Sequence, residues 1–281
     1  MELLARETLS LVDETQEPVP ACQPLLARRT PTMKIAVCMK RVPDTATRLT
    51  FAADGKSVDT SEVQWVISPY DEYAIEEGLR IRERAGEGTV TAITVGPEGA
   101  SKELRQALGM GVDDGILAVC DEPLDPIQTA RSLVAILADR ADDIVLFGKQ
   151  AVDSQGAQVG ALVARLLGRP FVNDIAAIEV SEQQVRIERD IEGGRETIEG
   201  PLPIIVGAEK SLNEPRYPKL KDIMQAKKKP IEKVTPQTGE PSFETVAVTT
   251  PAPRPEGRIV GEGPEAVDEL IRLLREEAKV I

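Results

Sequence analysis

Histidine is absent from this sequence of 281 residues. It is the usual general base near neutral pH, a common nitrogen ligand of metals and a member of most nucleophile triads. Its absence therefore argues against a hydrolase or a metalloenzyme. Aromatic residues make up only 3% of the chain, which leaves few rings with which the protein alone can enclose a flat cofactor.

Cysteine is scarce as well, and long apolar runs are missing. Cys22, Cys38 and Cys120 form no CxxC pair, which argues against a disulfide framework, a structural zinc site or an iron–sulfur cluster. No apolar run approaches the roughly 18 residues of a membrane-spanning helix, and the acidic N-terminal stretch lacks the pattern of a signal peptide. We therefore expect a soluble, unexported protein of the reducing cytoplasm.

Basic charge is limited to small clusters. The formal net charge is -13 and the sequence pI is near 4.7. Binding along a nucleic acid requires a concentrated basic face to neutralise the phosphates, and the cluster Lys227–Lys229 is too small to provide one. The sequence argues against broad nucleic-acid binding.

Short apolar runs alternate with amphipathic helices along most of the chain. With 41% hydrophobic residues, the length suffices for one large α/β domain plus extensions. The predicted strands are Lys34–Met39, Val90–Val95, Ile116–Val119 and Ile144–Phe147. The βαβα order with right-handed crossovers predicts a three-layer, doubly wound and mostly parallel sheet of Rossmann-like type.

Helix boundaries are marked by capping signals. Ser68 is the predicted N-cap of a helix with Pro69 at its first position and Asp71 completing a capping box, and the helix should run to about Ala85 and stop at Gly86. A second helix begins at Asp125 and Pro126. Two apolar stripes at helical spacing are Ala130, Leu133, Val134 and Leu137, and Val159, Leu162, Val163 and Leu166.

The second half of the chain has a different pattern of apolar and turn-forming residues. Val185–Asp190 and Arg195–Glu199 flank a predicted turn at Gly193 and Gly194, which indicates a β-hairpin, and an apolar strand follows at Pro203–Ala208. We divide the chain into an extension at 1–32 that we expect to be disordered, with Met33 a candidate natural start, a domain at 33–230, and an arm at 231–281. The arm ends in an amphipathic helix that packs on its own domain or, as the long connection favours, on a partner.

A glycine-bearing loop follows the strand that ends at Phe147. Its sequence, GKQAVDSQGAQVG, occupies residues 148–160 and leads into a helix whose N-terminus offers free N–H groups and a positive dipole end. Gly156 and Gly160 allow close approach of the backbone, Ser154 and Gln158 can donate to phosphate oxygens, and Asp153 can orient the loop or accept from a hydroxyl group. The loop is neither a P-loop nor a GxGxxG fingerprint, so a strand-to-helix turn without a ligand is the alternative.

Further segments should converge on the same edge of the sheet. They are Cys38 at the end of the first strand, the helix start at Ser68–Asp71, and the turn at Val95–Pro97. Several strand ends would then share one pocket.

The segment Leu212–Lys229, named the docking segment below, is punctuated by Pro215 and Pro218. These prolines exclude a helix interior or a central strand and predict a projecting loop. Leu220, Ile223 and Met224 follow at helical spacing, before the lysine cluster. The segment has the character of a docking surface, although a plain surface loop leading into a short amphipathic helix is the alternative.

Five ordered blocks between residues 33 and 234 resemble the β subunit of electron transfer flavoprotein. They are MKIAVCMKRVPD, SPYDEYAIEE, GKQA, VRIERDIEGGRE and NEPRYPKLKDIMQAKKK. The resemblance implies the adenine nucleotide α-hydrolase-like form of the doubly wound fold, with a β-hairpin insertion and an extended C-terminal arm.

The resemblance also implies functional positions. An adenine nucleotide, a structural AMP in most of the family, would contact Cys38, Ser68, Pro69, Tyr70, Asp71, Val95, Gly148, Lys149, Gln150, Ala151, Val152, Asp153, Ser154, Gln155, Gly156, Ala157, Gln158 and Val159. Leu220 would enter an apolar pocket of a flavin dehydrogenase, with Tyr217, Ile223 and Met224 around it.

Three further positions relate to the flavin of the other subunit. Tyr70 would lie near the isoalloxazine of the FAD that the α subunit carries, and Arg189 and Asp190 would approach the mobile flavin domain. The alternative for the last two is a solvated Arg–Asp surface pair. Thr45 stands where the family often has a second aromatic near this flavin.

The nucleotide loop departs from the usual pattern. Where the AMP-type loop reads GKQAID with an acidic pair and then NQTG, this chain has VDSQGAQVG. Its AQVG ending resembles electron-bifurcating relatives, which hold a second FAD in place of AMP, but those carry VDGD where Ser154, Gln155 and Gly156 stand here. AMP remains the first expectation and FAD the second.

The implied function is that of an electron carrier rather than a bond-making enzyme. As the β subunit of a heterodimer with an α subunit, the chain would take electrons from acyl-CoA dehydrogenases of fatty acid β-oxidation and pass them to a quinone-linked oxidoreductase. One alternative is a bifurcating complex with an NADH-oxidising FAD in this subunit. Another is a regulatory domain in which AMP acts as a signal. No metal site is expected.

Overall fold

The computed structural model describes residues 32–181, 183–250, 252–253 and 256–281. The predicted extension at 1–32, except for Thr32, lies outside these residues, as does Cys22. In chain order the strands are β1 (Met33–Cys38), β2 (Arg41–Pro43), β3 (Thr50–Phe51), β4 (Val58–Asp59), β5 (Trp65–Ile67), β6 (Gly88–Gly96), β7 (Asp114–Val119), β8 (Ile144–Gly148), β9 (Phe171–Val180), β10 (Gln184–Ile191), β11 (Gly194–Pro201), β12 (Ile204–Ala208) and β13 (Ile231–Val234). The α-helices are α1 (Pro69–Ala85), α2 (Ser101–Met110), α3 (Pro126–Leu137), α4 (Val159–Leu167), α5 (Leu220–Ala226) and α6 (Val267–Glu276).

Among the described residues, nine strands form one sheet in the order β11-β10-β9-β12-β8-β1-β6-β7-β13. Pairing is parallel from β9 through β13, while β10 pairs antiparallel with both β9 and β11. In chain order, β6 and β7 are added next to β1 on one side of the sheet, and β8 and β12 are then added on the other side. The predicted doubly wound, mostly parallel sheet is therefore confirmed.

The sheet is covered on both faces, which explains the near-continuous apolar strands. Along β1, Ile35 and Val37 pack with the helices α1, α2 and α5, whereas Ala36 and Cys38 pack with α3 and α4. This alternation follows from the period of two in a strand. Each fully buried Ile or Leu contributes about 1.5–3 kcal/mol of transfer free energy, so the two layers together supply most of the driving force for the fold.

The ends of helix α1 agree with the prediction, but its capping does not. The helix begins after Ser68 and closes at Gly86, whose φ of +79° suits glycine. Ser68 makes no side-chain capping hydrogen bond within the described residues, and Asp71 points elsewhere. The predicted capping box is therefore wrong. A complete one occurs at α3, between Asp125 and Gln128.

Helix α4 has the predicted span but a different buried face. Val163 is buried as expected, whereas Leu166 is exposed. A Cβ on Gly160 would lie 3.0 Å from the Phe171 ring, and Ala164 is buried. The close approach of these small residues rotates the packed face toward them, and Leu166 turns outward.

The hairpin prediction is confirmed, with the turn one residue earlier than expected. Ile191 pairs with Gly194, so the turn residues are Glu192 and Gly193, and Gly193 has a φ of +80°, which glycine adopts without strain. Beyond residue 230, β13 adds a parallel edge strand beside β7. The terminal helix is shorter than its apolar pattern, ending at Glu276.

Candidate functional site

The carboxyl ends of neighbouring parallel strands form a single edge. Cys38 ends β1, Gly96 ends β6 and Gly148 ends β8, and the strand order places these three ends side by side. Val95 lies one residue before the end of β6. The structure thus brings the predicted strand-end residues to one edge, where open α/β sheets bind their ligands.

Asp71 connects two of these strand ends. Its buried carboxylate accepts hydrogen bonds from the backbone N–H of Lys40 at 2.7 Å and from that of Gly148 at 2.9 Å. Burial raises the pKa of Asp71 to about 7, against the opposing effect of the two backbone hydrogen bonds. The side chain predicted to cap a helix instead ties the first turn of α1 to β1 and β8.

Gly148 has no room for a side chain. A Cβ there would lie 2.5 Å from Oδ1 of Asp71 and 2.6 Å from Cβ of Tyr70. Real Cβ atoms are not found so close to other atoms, because overlap of this kind forces the backbone to shift. Glycine is required here so that helix α1 can approach the start of the loop.

The body of the loop is held by Asp153. Its carboxylate pairs with Nζ of Lys40 at 2.6 Å and accepts from its neighbour Ser154 N–H at 2.8 Å. Gln155 and Ala157 both have positive φ, near +50°, a conformation that costs non-glycine residues free energy and is typical of functional loops. Asp153 therefore orients the loop, as one of its two predicted roles required.

The tip of the loop faces solvent. Ser154 to Gln158 are exposed, whereas Gln150, Ala151, Val152 and Val159 are partly buried. Gly156 lies in open space, but Gly160 packs against Phe171. The lack of a side chain on Gly160 thus allows helix packing, and its role in close approach to a ligand stays a prediction.

Unused donors lie at this edge. Gln158 is the N-cap of α4 and makes no side-chain capping hydrogen bond to the residues that the structure describes, so the N–H groups of the first turn remain available. Ser68 is fully buried, and its hydroxyl group finds no hydrogen-bond partner among the described residues. Buried polar groups are normally satisfied. These donors fit the oxygen atoms of an anionic ligand.

Cys38 lies at the edge but directs its thiol inward. The side chain is almost fully buried and packs in the layer of α3 and α4. Burial, followed by the nearby carboxylates of Asp142 and Asp71, raises the pKa of the Cys38 thiol well above its ordinary value. The residue remains a neutral thiol that packs, and any contact with a ligand would involve its backbone.

Lys149 and Tyr70 form a second part of the site. Nζ of Lys149 lies 5.2 Å from the centre of the Tyr70 ring, within the range of cation–π attraction. It also pairs with Asp174 at 3.2 Å and with Glu209. Its hydrogen bond to Glu209, followed by Asp174, raises the pKa of Lys149.

Lys149 and its two carboxylate partners border a cavity of about 440 Å³. It is lined by Lys149, Asp174, Asp190, Glu209, Lys210 and Ser211. Sequence reasoning missed Asp174 and Glu209. Glu209 directly follows the strand β12, so the rule that ligands bind beyond strand ends could have found it. Asp174 lies within a long strand with a positive φ, for which the sequence carried no signal.

Arg189 and Asp190 do not pair with each other. Arg189 pairs with Glu196, and Asp190 accepts from Arg195 at 2.8 Å, in both cases across the hairpin β10–β11. Adjacent strand residues point to opposite faces, so the two side chains do not pair with each other, but both form solvent-accessible ion pairs, and the alternative of a surface role remains open. The carboxylate of Asp190 reaches the cavity beside Lys149.

The docking segment is exposed on a different part of the surface. Residues 213–219 are neither helix nor strand, and α5 follows with Ala226 buried. The solvent-exposed fractions of Tyr217, Leu220, Met224 and Ile223 are 96%, 76%, 63% and 43%. All four predicted docking residues are therefore exposed, and the spacing of Leu220, Ile223 and Met224 puts these three on one face of α5, which we call the apolar patch together with Tyr217.

The family model of the electron transfer flavoprotein domain matches residues 56–238. This range includes both the loop at 148–158 and the docking segment. This chain belongs to the electron transfer flavoprotein family.

Its relatives in that family are β subunits. The electron transfer flavoprotein subunit beta of Bacillus subtilis strain 168 is 41% identical over 260 residues, which cover 89% of this chain and 100% of the relative. The mitochondrial subunit beta of Oryza sativa subsp. japonica is 37% identical over 257 residues, with the same coverage. The human subunit beta is 33% identical over 252 residues, covering 88% of this chain and 99% of its own. The chain is thus a β-type member of the electron transfer flavoprotein family.

Within the residues that the structure describes, no helix is both long and apolar enough to cross a membrane. In the same part of the chain, no group of three or more Cys, Asp or Glu side chains is arranged to hold a metal ion.

Proposed function

We propose that this chain is the β subunit of a heterodimeric electron transfer flavoprotein that carries electrons from acyl-CoA dehydrogenases to a quinone-linked oxidoreductase, in fatty acid β-oxidation. The observation that carries the proposal is the combination of a strand-edge site and a separate exposed apolar patch on one α/β domain. A carrier needs both features, because it must hold its cofactors and engage a partner at the same time. The isolated thiols Cys38 and Cys120 favour a reducing compartment such as the cytoplasm.

The strand-edge site would hold AMP. The first-turn N–H groups of α4 and the loop residue Ser154 would meet the phosphate, and the hydroxyl group of Ser68, which has no partner among the described residues, would supply another donor. Asp71 and Lys40 would fix the two sides of the pocket. The nucleotide has a structural role in this proposal, since binding to the folded state alone stabilises a protein.

The redox cofactor is an FAD held mainly by the α subunit, and it supplies the electron chemistry. This chain would contribute Tyr70 and, from the hairpin, Arg189 and Asp190 to its surroundings. The cation of Lys149 against the Tyr70 ring keeps that ring in place. The protein part of the task is to set distance, orientation and charge around the flavin.

The patch around Leu220 would dock the dehydrogenase. Large exposed apolar side chains that lie together are typical of interaction sites, whereas single ones are not. Leu220 would be the anchor in an apolar pocket of the partner, with Tyr217, Ile223 and Met224 covering its rim.

The terminal helix of the arm at 231–281 would pack on the α subunit, whereas β13 at the start of the arm belongs to the sheet of this chain. Within the described residues helix α6 has no buried side chain, although Val267 and Leu270 give it an apolar stripe. An amphipathic helix of this kind gains its stability from burial against another surface.

A second candidate is a bifurcating β subunit with an NADH-oxidising FAD in the strand-edge site. The AQVG ending of the loop and the exposed stretch from Ser154 to Gln158 favour it, because an open loop tip can admit a larger nucleotide. Bound FAD would then receive hydride from NADH, which the carrier proposal does not require.

The deciding experiment is to release nucleotides from the purified heterodimer by denaturation and to measure FAD and AMP per complex. About one of each supports the carrier proposal. Two FAD and no AMP would replace it with the bifurcating complex, and reduction of the bound flavin by NADH would then be the confirming assay. A loosely held, exchangeable AMP would favour the regulatory alternative.

A further inference from the structure

The backbone of the docking segment is not held by regular secondary structure where it turns. Between Asn213 and Lys219 the chain is neither helix nor strand, so no ladder of main-chain hydrogen bonds sets its course. Pro215 and Pro218 limit the backbone angles but donate no hydrogen bonds. Side chains must therefore hold this stretch against the domain.

Two side chains provide that attachment, both to α1. Nδ2 of Asn213 donates to the carbonyl group of Tyr73 at 3.0 Å and to Glu77 at 3.1 Å, and Arg216 makes the larger number of contacts. Its guanidinium donates to both oxygens of Glu76, from Nε at 2.7 Å and from Nη2 at 3.0 Å, and to both oxygens of Glu83, from Nη1 at 2.6 Å and from Nη2 at 3.1 Å. Its own backbone N–H also donates to Glu76. Bidentate pairs of this kind are the strongest and most directional that arginine makes.

The carboxylate of Glu76 is buried, with 3% of its side chain exposed. It is shared between Arg216 and Arg80, and Arg80 also donates to the carbonyl group of Glu214. A buried carboxylate requires such partners, because an unpaired one pays the full cost of lost hydration. Glu76 and Glu83 both belong to α1, so this helix sets the geometry of their pairing with Arg216.

The far end of the segment is attached to α2. Arg105 donates to the carbonyl oxygens of Ala226 and Lys229 at 2.7 Å and 2.6 Å, and Nζ of Lys229 donates to Leu108 at 3.1 Å. The apolar patch lies between the two attachments. Tyr217 directly follows Arg216, and Leu220 follows three residues later.

We infer that Arg216 is a positioning residue for docking, which holds the patch in its binding conformation before the partner arrives. This inference rests on the proposed function of the patch. An exposed loop that had to be ordered on binding would lose affinity through the entropy of ordering. Loss of Arg216 therefore weakens encounter with the partner without altering the electron-transfer step itself.

The test uses Arg216→Met, Arg216→Lys and Glu83→Gln in the intact heterodimer, reduced by an acyl-CoA dehydrogenase that reduces the wild-type complex. We expect Arg216→Met to raise KM for the flavoprotein about tenfold with kcat unchanged. Arg216→Lys, which can serve only one carboxylate, restores part of the loss. Glu83→Gln removes half of the pairing at an exposed side chain and gives a smaller increase, so it is informative even if Arg216→Met fails to fold.

The control is Arg165→Met, which removes an exposed arginine of α4 that makes none of the contacts described above and should leave KM unchanged. Hydrogen exchange of the α5 amides should accelerate in Arg216→Met and not in the control. If Arg216→Met changes neither KM nor hydrogen exchange while Leu220→Ala raises KM, the inference about Arg216 is wrong and the docking proposal stands. Unchanged KM in Leu220→Ala would instead overturn the docking proposal on which it rests.

Discussion

The loop at 148–158 and the docking segment are both irregular stretches of chain, but they are held in opposite ways. The start of the loop is tied by the backbone N–H of Gly148 to the buried carboxylate of Asp71, and Asp153 within the loop pairs with Nζ of Lys40. The docking segment is tied by the long side chain of Arg216 to α1, and its apolar residues remain exposed. A site that encloses a small ligand needs a fixed backbone. A surface that binds a large partner needs attachments that leave its apolar side chains exposed.

The largest expected effect concerns the contact between the loop and Asp71. Gly148→Ala places a Cβ 2.5 Å from Asp71 and should lower the free energy of unfolding by about 2–3 kcal/mol, because α1 must move away from β8. The measurement is urea unfolding of the heterodimer at fixed concentration. Gly156→Ala is the matched control, since its Cβ would meet no described atom within 4 Å. Equal stability of the two variants would contradict the close approach.

The next effect concerns the docking side. Leu220→Ala should lower kcat/KM for reduction by a dehydrogenase about 10–30-fold, equivalent to about 1.4–2 kcal/mol, with stability changed by less than about 0.5 kcal/mol. Stability is spared because most of the Leu220 side chain is exposed. Leu166→Ala, which truncates an exposed leucine on α4, is the control. A similar loss in both variants would point to a general effect and not to docking through Leu220.

A pH titration would sharpen the contrast between buried and exposed carboxylates. Burial raises the pKa of Asp71 to about 7, above its value near 3.9 in an unfolded chain. At a pH between these two pKa values, the folded state holds a proton on Asp71 that the unfolded state has lost. The free energy of unfolding therefore falls as pH rises, by about 1 kcal/mol from pH 6 to pH 7. The opposing charges nearby are Lys40, which favours ionisation, and Asp153, which disfavours it.

Asp71→Asn should remove this slope in unfolding curves recorded between pH 5 and pH 8. The substitution also exchanges one acceptor oxygen for an N–H group that faces a backbone donor. The variant should therefore retain less nucleotide at every pH. A slope that survives the substitution would assign the titration to another group.

The smallest expected effect tests the corrected pairing on the hairpin. A double-mutant cycle of Arg189→Met and Glu196→Gln should give a coupling energy of about 0.5 kcal/mol, as for other solvent-accessible ion pairs. The equivalent cycle of Arg189→Met and Asp190→Asn should give none, since these side chains point to opposite faces. Coupling in the second cycle and not in the first would restore the rejected Arg–Asp pair.

The sequence predicts those features of the structure that depend on residues close together in the chain. The alternation of Ile35, Ala36 and Val37 follows from strand geometry, and the hairpin at Gly193 from turn chemistry. The start of α3 is likewise visible in Asp125 followed three residues later by Gln128, although that capping box was not predicted. These patterns depend on neighbours only a few residues away.

Asp71 shows where local reasoning fails. Its spacing from Ser68 suits a capping box, but the backbone N–H of Ser68 donates to the carbonyl group of Lys40. The carboxylate of Asp71 accepts instead from the backbone N–H groups of Lys40 and Gly148, which a pattern of neighbouring residues does not show. The exposed Leu166 has a related cause, since the small residues Gly160 and Ala164 turn α4 toward the sheet.

By itself, the sequence determined the doubly wound sheet, the exposed loop with its prolines and the family to which the chain belongs. These depend on periodicity, on backbone restrictions and on ordered motifs. Only the tertiary structure decided that Asp71 joins two strands, that Lys149 pairs with Asp174 and Glu209, and that Arg216 pairs with Glu76, 140 positions away. Such contacts join residues distant in the chain, and their free energy depends on burial, which no local pattern records.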